Sequence, residues 1–105
     1  MTYQNSQEKD GFEIRLYFLE EYQPIDWDFE TEEQEKEFYD KIERGEYLYF
    51  CAKVTACKNG IELHSEYLGG CVYEGETDFM ACGYYEDMTN EAIEGAKKAI
   101  KELTT

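Results

Sequence analysis

The sequence predicts an α+β domain: a small antiparallel sheet of about three strands with two helices, in the order β-α-β-β-α. Three observations carry this. Two stretches, Phe12–Leu19 and Glu46–Lys58, alternate their apolar residues with the period of a half-buried strand. Asn59-Gly60 follows the second stretch and is the strongest short hairpin signal, because both central residues of a type I′ turn need positive φ. The C-terminal segment instead repeats its apolar residues at helical spacing. The 105 residues fit one domain, with 1–11 read as a flexible tail and 12–105 as the folded unit.

Each element has a local reason. Residues 1–11 (MTYQNSQEKDG) are polar, as befits a loose tail. Phe12, Ile14, Leu16 and Phe18 then share one strand face, and Glu13, Arg15, Tyr17 and Leu19 the other. Residues 20–29 hold the single proline, Pro24, and read as a connection. Thr31-x-x-Gln34 is a capping box, and Glu32, Glu33 and Glu35 favour the positive end of a helix dipole. That helix is expected to run to Arg44 and stop at Gly45.

In the next strand Leu48, Phe50, Ala52, Val54 and Ala56 form the core face. Tyr47, Tyr49, Cys51, Lys53, Thr55 and Cys57 form the opposite one. A two-residue loop at Asn59-Gly60 places Lys58 opposite Ile61, Ala56 opposite Leu63 and Lys53 opposite Glu66. Gly69-Gly70 marks a bulge in the return strand, and Glu74-Gly75 the next turn. Thr77–Tyr85 reads as a short helix broken at Gly83. The last helix starts near Thr89, with Ile93, Ala96, Ile100 and Leu103 on its apolar face and Lys97, Lys98 and Lys101 toward its end.

Charge narrows the function classes. Twenty-five acidic residues against ten Lys and Arg give a formal net charge of −15. Solubility of a small domain asks for a magnitude of only about 2–8. So large an excess argues against direct nucleic-acid binding, which needs a basic face, and against anionic membrane surfaces. It favours a basic protein partner, especially one that normally holds DNA or RNA. No apolar stretch resembles a signal peptide, and none approaches the roughly 18 residues of a membrane span, so a cytoplasmic location is expected. There the four cysteines, Cys51, Cys57, Cys71 and Cys82, stay reduced. None lies in a C-x-x-C pair, so they read as small hydrophobes or inert thiols.

Twelve carboxylates crowd residues 20–46: Glu20, Glu21, Asp26, Asp28, Glu30, Glu32, Glu33, Glu35, Glu37, Asp40, Glu43 and Glu46. Lys36, Lys41 and Arg44 oppose them. A charged helix face is ordinarily solvated surface with internal pairs such as Glu37–Lys41. This excess leaves most charges unpaired. Neighbouring helical carboxylates lie about 5–6 Å apart at Cβ, and phosphates of one DNA strand advance about 3.4 Å per step. Such a face can imitate a nucleic-acid backbone. The candidate partner-binding residues are therefore Asp26, Asp28, Glu30, Glu32, Glu33, Glu35, Glu37, Asp40 and Glu43, joined by Tyr47 and Tyr49.

The tyrosines also support an alternative, since Tyr17, Tyr47 and Tyr49, with Leu19, Cys51 and Leu68, are assigned to the non-core sheet face. Tyr is enriched where proteins meet, so this face would serve a homodimeric adaptor whose charge merely keeps it soluble. His64, the single histidine, is assigned to the outward face opposite Thr55 and lacks the convergent groups of a working site. Asp26-x-Asp28-x-Glu30 echoes a calcium loop, with Glu37 at the twelfth position, but Thr31 stands where the loop needs glycine. No catalytic, phosphate-loop or dinucleotide motif is present. No enzyme activity, cofactor or metal is expected.

In size, charge and organisation the chain resembles the small acidic inhibitors carried by phages and mobile elements, the anti-CRISPR and anti-restriction proteins that imitate DNA. The resemblance rests on the acidic run at 20–46 and the small α+β plan. It implies an inhibitor in the host cytoplasm that occupies the basic nucleic-acid channel of a defence complex.

Overall fold

Two tight hairpins build the sheet. The computed structural model describes residues 3–21 and 29–103. In it β1 (Asn5–Lys9) turns through Asp10-Gly11 into β2 (Phe12–Glu20), and β3 (Leu48–Lys58) turns through Asn59-Gly60 into β4 (Ile61–Tyr73). Both turns have positive φ at both central residues: 54° and 83° in the first, 54° and 77° in the second. That is the type I′ pattern, which matches the strand twist. β2 pairs with β3, so four antiparallel strands lie in chain order, and α1 (Glu32–Glu43) sits in the connection between the hairpins. α2 (Glu76–Met80) and α3 (Gly83–Leu103) complete the chain.

The α+β class, the antiparallel sheet and the central hairpin are as the sequence predicts; one strand and one helix are additional. Residues 5–9 form a strand where a tail is expected. Their sequence, NSQEK, has no apolar face, so β1 is held by its partners. It pairs with β2 from Lys9–Phe12 to Asn5–Leu16. Gln7 Nε2 donates to the Tyr85 hydroxyl at 2.8 Å, and Lys9 Nζ to Asn90 Oδ1 at 3.0 Å. α3 begins at Gly83 rather than near Thr89. Gly83 starts this helix instead of interrupting one.

The core lies between one sheet face and α3. Ile14, Leu16, Ala52, Val54 and Ala56 meet Met88, Ala92, Ile93 and Ala96. Burying one isoleucine-sized side chain contributes about 1.5–3 kcal/mol. Phe79 of α2 closes one end. Its ring stands edge-on to Phe50 and Tyr73, with centroids 5.7 and 5.1 Å away, and Phe18 stacks on Phe50 at 3.8 Å. α3 crosses the sheet obliquely: Tyr85 and Asn90 touch β1, while Gly95 lies over His64 on β4.

Two irregularities in the β3–β4 ladder revise the expected register. Lys58 faces Ile61 as predicted, but a shift between Cys57 and Ala56 places Leu63 in a bulge. Ala56 therefore faces His64, Val54 faces Glu66, and Lys53 faces Tyr67. The expected Lys53–Glu66 pair does not form; Lys53 Nζ lies 4.0 Å from Glu62 instead. His64 moves to the α3-facing side, and Leu68, opposite Ala52, packs against the core rather than on the second face. The second shift, between Phe50 and Ala52, is the bulge expected at Gly69-Gly70.

The remaining helix is an outlier. α1 has no buried residue. The molecule measures 57 × 23 × 21 Å with a radius of gyration of 16.3 Å, against roughly 13 Å for a compact domain of this length. No helix among the described residues is long and apolar enough to cross a membrane.

Candidate functional site

α1 forms because its ends are satisfied locally. Thr31 is in extended conformation, and its hydroxyl accepts the Gln34 N–H at 3.2 Å. The Gln34 side chain reaches back as a capping box requires, but takes the N–H of Glu30, also at 3.2 Å. At the other end Gly45 N–H bonds to Ile42 O and Glu46 N–H to Lys41 O, at 3.1 and 2.9 Å. Those two bonds are the Schellman closure. Neither end needs help from the sheet.

The candidate acidic residues then fall into place. Asp26 and Asp28 lie outside the described residues. Glu30, Glu32, Glu33, Glu35, Glu37, Asp40 and Glu43 are all exposed. Glu37 pairs with Lys41 at 3.8 Å, and just beyond the helix Arg44 pairs with Glu46 at 3.4 Å. Among the described residues no cation lies within 4.0 Å of the carboxylates of Glu32, Glu33, Glu35, Asp40 or Glu43. Charges held in water by a helix of fixed pitch form a regular, unneutralised array. Thr31, the sixth position of the calcium-like spacing, is the helix cap, and Glu37 is already inside the helix.

The two candidate tyrosines separate. Tyr47 precedes β3 rather than joining the sheet face. Its ring packs against Phe38 at 6.2 Å, and Lys41 Nζ lies 5.4 Å from its centroid. Phe38, Tyr47, Glu37 and Lys41 thus share a groove along α1 with Phe29 and Gln34. Tyr49 points to the second sheet face, opposite Val72. Burial, followed by the negative charge of Glu21, pushes its hydroxyl pKa upward.

The second sheet face carries a ladder of rings and cations. Arg15 lies 5.3 Å from the Tyr3 ring, and Lys53 lies 5.1 Å from Tyr17 and 5.9 Å from Tyr67. Arg15 also bonds to Glu13 at 2.9 Å. The Glu13 carboxyl is held below its usual range by the Ser6 hydroxyl first and Arg15 second. Tyr17 is buried within this ladder and its hydroxyl donates to Glu62 at 3.2 Å, whereas Tyr67 is 61% exposed. α2 and α3 both pack on the other side of the sheet.

His64 is a packing residue with one polar partner. Its Nε2 lies 2.8 Å from Glu66 Oε1. A Cβ built on Gly95 would meet the His64 ring at 2.4 Å, so glycine at 95 is what lets this helix pass over the ring. The four cysteines are free thiols. Burial pushes Cys71 up to about 11 and raises Cys51 and Cys57 as well. At neutral pH these thiols are therefore poor nucleophiles. Among the described residues no group of three or more His, Cys, Asp or Glu is placed to hold a metal ion.

One feature escapes the sequence. Between α1 and α2 opens a cleft of about 480 Å³ lined by Phe38, Tyr47, Val72, Tyr73, Glu74 and Asp78. Its signal is half of a capping box. Asp78 stands three residues after the α2 cap, Gly75, and its Oδ2 accepts the Glu74 N–H at 3.1 Å. The aromatic walls have no such signal, because they come from three distant segments.

Comparison of the chain with protein-family models, with curated proteins and with solved structures gives no match.

Proposed function

We propose that this chain is an acidic binding protein that inhibits a nucleic-acid-handling protein, of the anti-CRISPR or anti-restriction kind, by presenting α1 as a DNA-like surface. The observation that carries the reading is a helix with no fully buried residue that holds a row of carboxylates mostly without cationic partners. Ordering a residue costs about 1–2 kcal/mol of backbone entropy, and α1 recovers little of it through burial. A basic channel supplies the missing counter-charges and releases the ions condensed around them. The work is binding rather than catalysis, it needs no cofactor, and it belongs in the cytoplasm, where the partner and reduced thiols are found together.

The second reading is a homodimeric adaptor that associates through the second sheet face. The exposure of Tyr67 beside Tyr3, Arg15 and Lys53 favours it.

Capture from bacterial lysate at low salt and at ~0.5 M, where the screening length falls to a few Å, separates the two. Reversing Glu32, Glu33 and Glu35 to Lys is expected to abolish low-salt capture of basic DNA- or RNA-handling proteins, with the global unfolding midpoint unchanged, since none of the three is buried. Capture that survives the reversal in moderate salt overturns the DNA-like reading. Recovery of the protein itself, persisting at ~0.5 M salt, establishes the adaptor.

A further inference from the structure

We propose that the cleft between α1 and α2 is an arginine-receiving pocket, which takes the guanidinium of one side chain on a basic partner. The inference rests on the acidic-binding reading and specifies one contact within it. The cavity, about 480 Å³, falls within the usual range of small-ligand sites, roughly 300–1,000 Å³. Its walls are aromatic and apolar, from Phe38, Tyr47, Val72 and Tyr73, and its polar groups are the two carboxylates of Glu74 and Asp78. Among the described residues neither carboxylate has a cation within 4.0 Å. An anion would be repelled here.

Two details favour a guanidinium over an ammonium. Tyr73 is a fixed wall: Phe79 and Phe50 pack on its ring at 5.1 and 6.1 Å. A planar cation stacks on such a ring, whereas an ammonium does not. Asp78 is held by the backbone N–H of Glu74, and its free oxygen together with the Glu74 carboxylate offers a forked donor more than one acceptor. The apolar stem of an arginine is long enough to lie along Phe38 and Val72 while its head reaches the carboxylates. Tyr47 already accepts a cation within the molecule, since Lys41 lies over its ring in the adjoining groove. The pocket therefore continues the acidic surface of α1 and adds shape selection to it.

The test is an NMR titration of the whole chain with Ac-Gly-Arg-Gly-NH2, compared with its lysine and citrulline counterparts. The arginine peptide is expected to shift the Val72 methyls and the Tyr47 and Tyr73 ring signals saturably. The lysine peptide should bind more weakly, and the citrulline peptide, isosteric but uncharged, should leave these signals in place. Glu74→Gln with Asp78→Asn, which keeps an oxygen for the Glu74 N–H, should weaken arginine binding roughly fivefold, the scale of partly exposed ion pairs. Equal shifts from citrulline, shifts that never saturate, or affinity unchanged by the double variant overturn the pocket. The backbone signals of Glu32, Glu33 and Glu35 report on the wider reading. If they respond while Val72 and Tyr73 do not, the pocket fails and the acidic helix stands. If no signal responds, both fail.

Discussion

α1 and α3 are built from opposite materials. α3 has 21 residues, six of them buried: Tyr85, Met88, Thr89, Ala92, Ile93 and Ala96. α1 has 12 residues and buries none. α3 is a helix because the sheet beneath it needs a cover, and its sequence repeats the spacing of that contact. α1 is a helix because Thr31, Gln34 and Gly45 close its ends and its first-turn carboxylates suit its dipole. The carboxylates of α1 can therefore be rewritten without disturbing the core, whereas the apolar stripe of α3 cannot. The function proposed for α1 is separable from the stability contributed by α3.

Three measurements test that separation. The largest effect is expected beside α3: Phe79→Ala empties a fully buried ring site and should cost about 3–5 kcal/mol in urea unfolding. Phe38→Ala, on the half-buried side of α1, should cost roughly 1 kcal/mol, in line with its smaller buried area. Equal losses would mean that α1 belongs to the core after all. A middle-sized effect is expected at Gly95. Gly95→Ala drives a methyl group into the His64 ring, an overpacking cost of about 1–3 kcal/mol, of which better helix propensity returns up to about 1 kcal/mol. Adding His64→Ala should cancel the loss, and a double-mutant cycle would read the coupling. If Gly95→Ala alone raises stability, α3 does not lie as close to β4 as described. The smallest global effect belongs to Thr31→Ala. Loss of the cap should remove about 1 kcal/mol from α1, seen as faster amide exchange within 32–43, while the global unfolding midpoint stays nearly fixed. A matching drop in the midpoint would join the two helices into one cooperative unit.

The same contrast explains what could be read from the sequence. Elements that carry their own local instructions were legible: the capping box at Thr31, the stop at Gly45, the Asn59-Gly60 turn and the Gly69-Gly70 bulge. β1 was not, although Asp10-Gly11 is the same kind of turn as Asn59-Gly60. Its strand lacks apolar alternation, and its reasons lie in Tyr85 and Asn90, about 80 positions away. His64 was misplaced because a one-residue bulge at Leu63 exchanges the faces of everything after it. At the candidate site, the exposed row from Glu30 to Glu43 follows from charge and helical pitch. The cleft does not, since it requires Phe38, Tyr47 and Val72–Asp78 to converge from separate segments.

Oblique passage of α3 over the sheet gives the molecule a polarity. Its first half exposes Glu86, Asp87, Glu91 and Glu94, and beyond Gly95, over β4, it exposes Lys97, Lys98 and Lys101. α1 lies elsewhere, against Tyr47 at the start of β3. The exposed charge along α3 thus changes sign from one half of the helix to the other, apart from Glu102 near its end. Uneven surface charge of this kind turns a diffusing molecule in the field of a charged partner before contact, which raises the fraction of collisions that begin in a productive orientation. Within the proposed function, the lysines at the end of α3 would then alter the speed of association more than the lifetime of the complex.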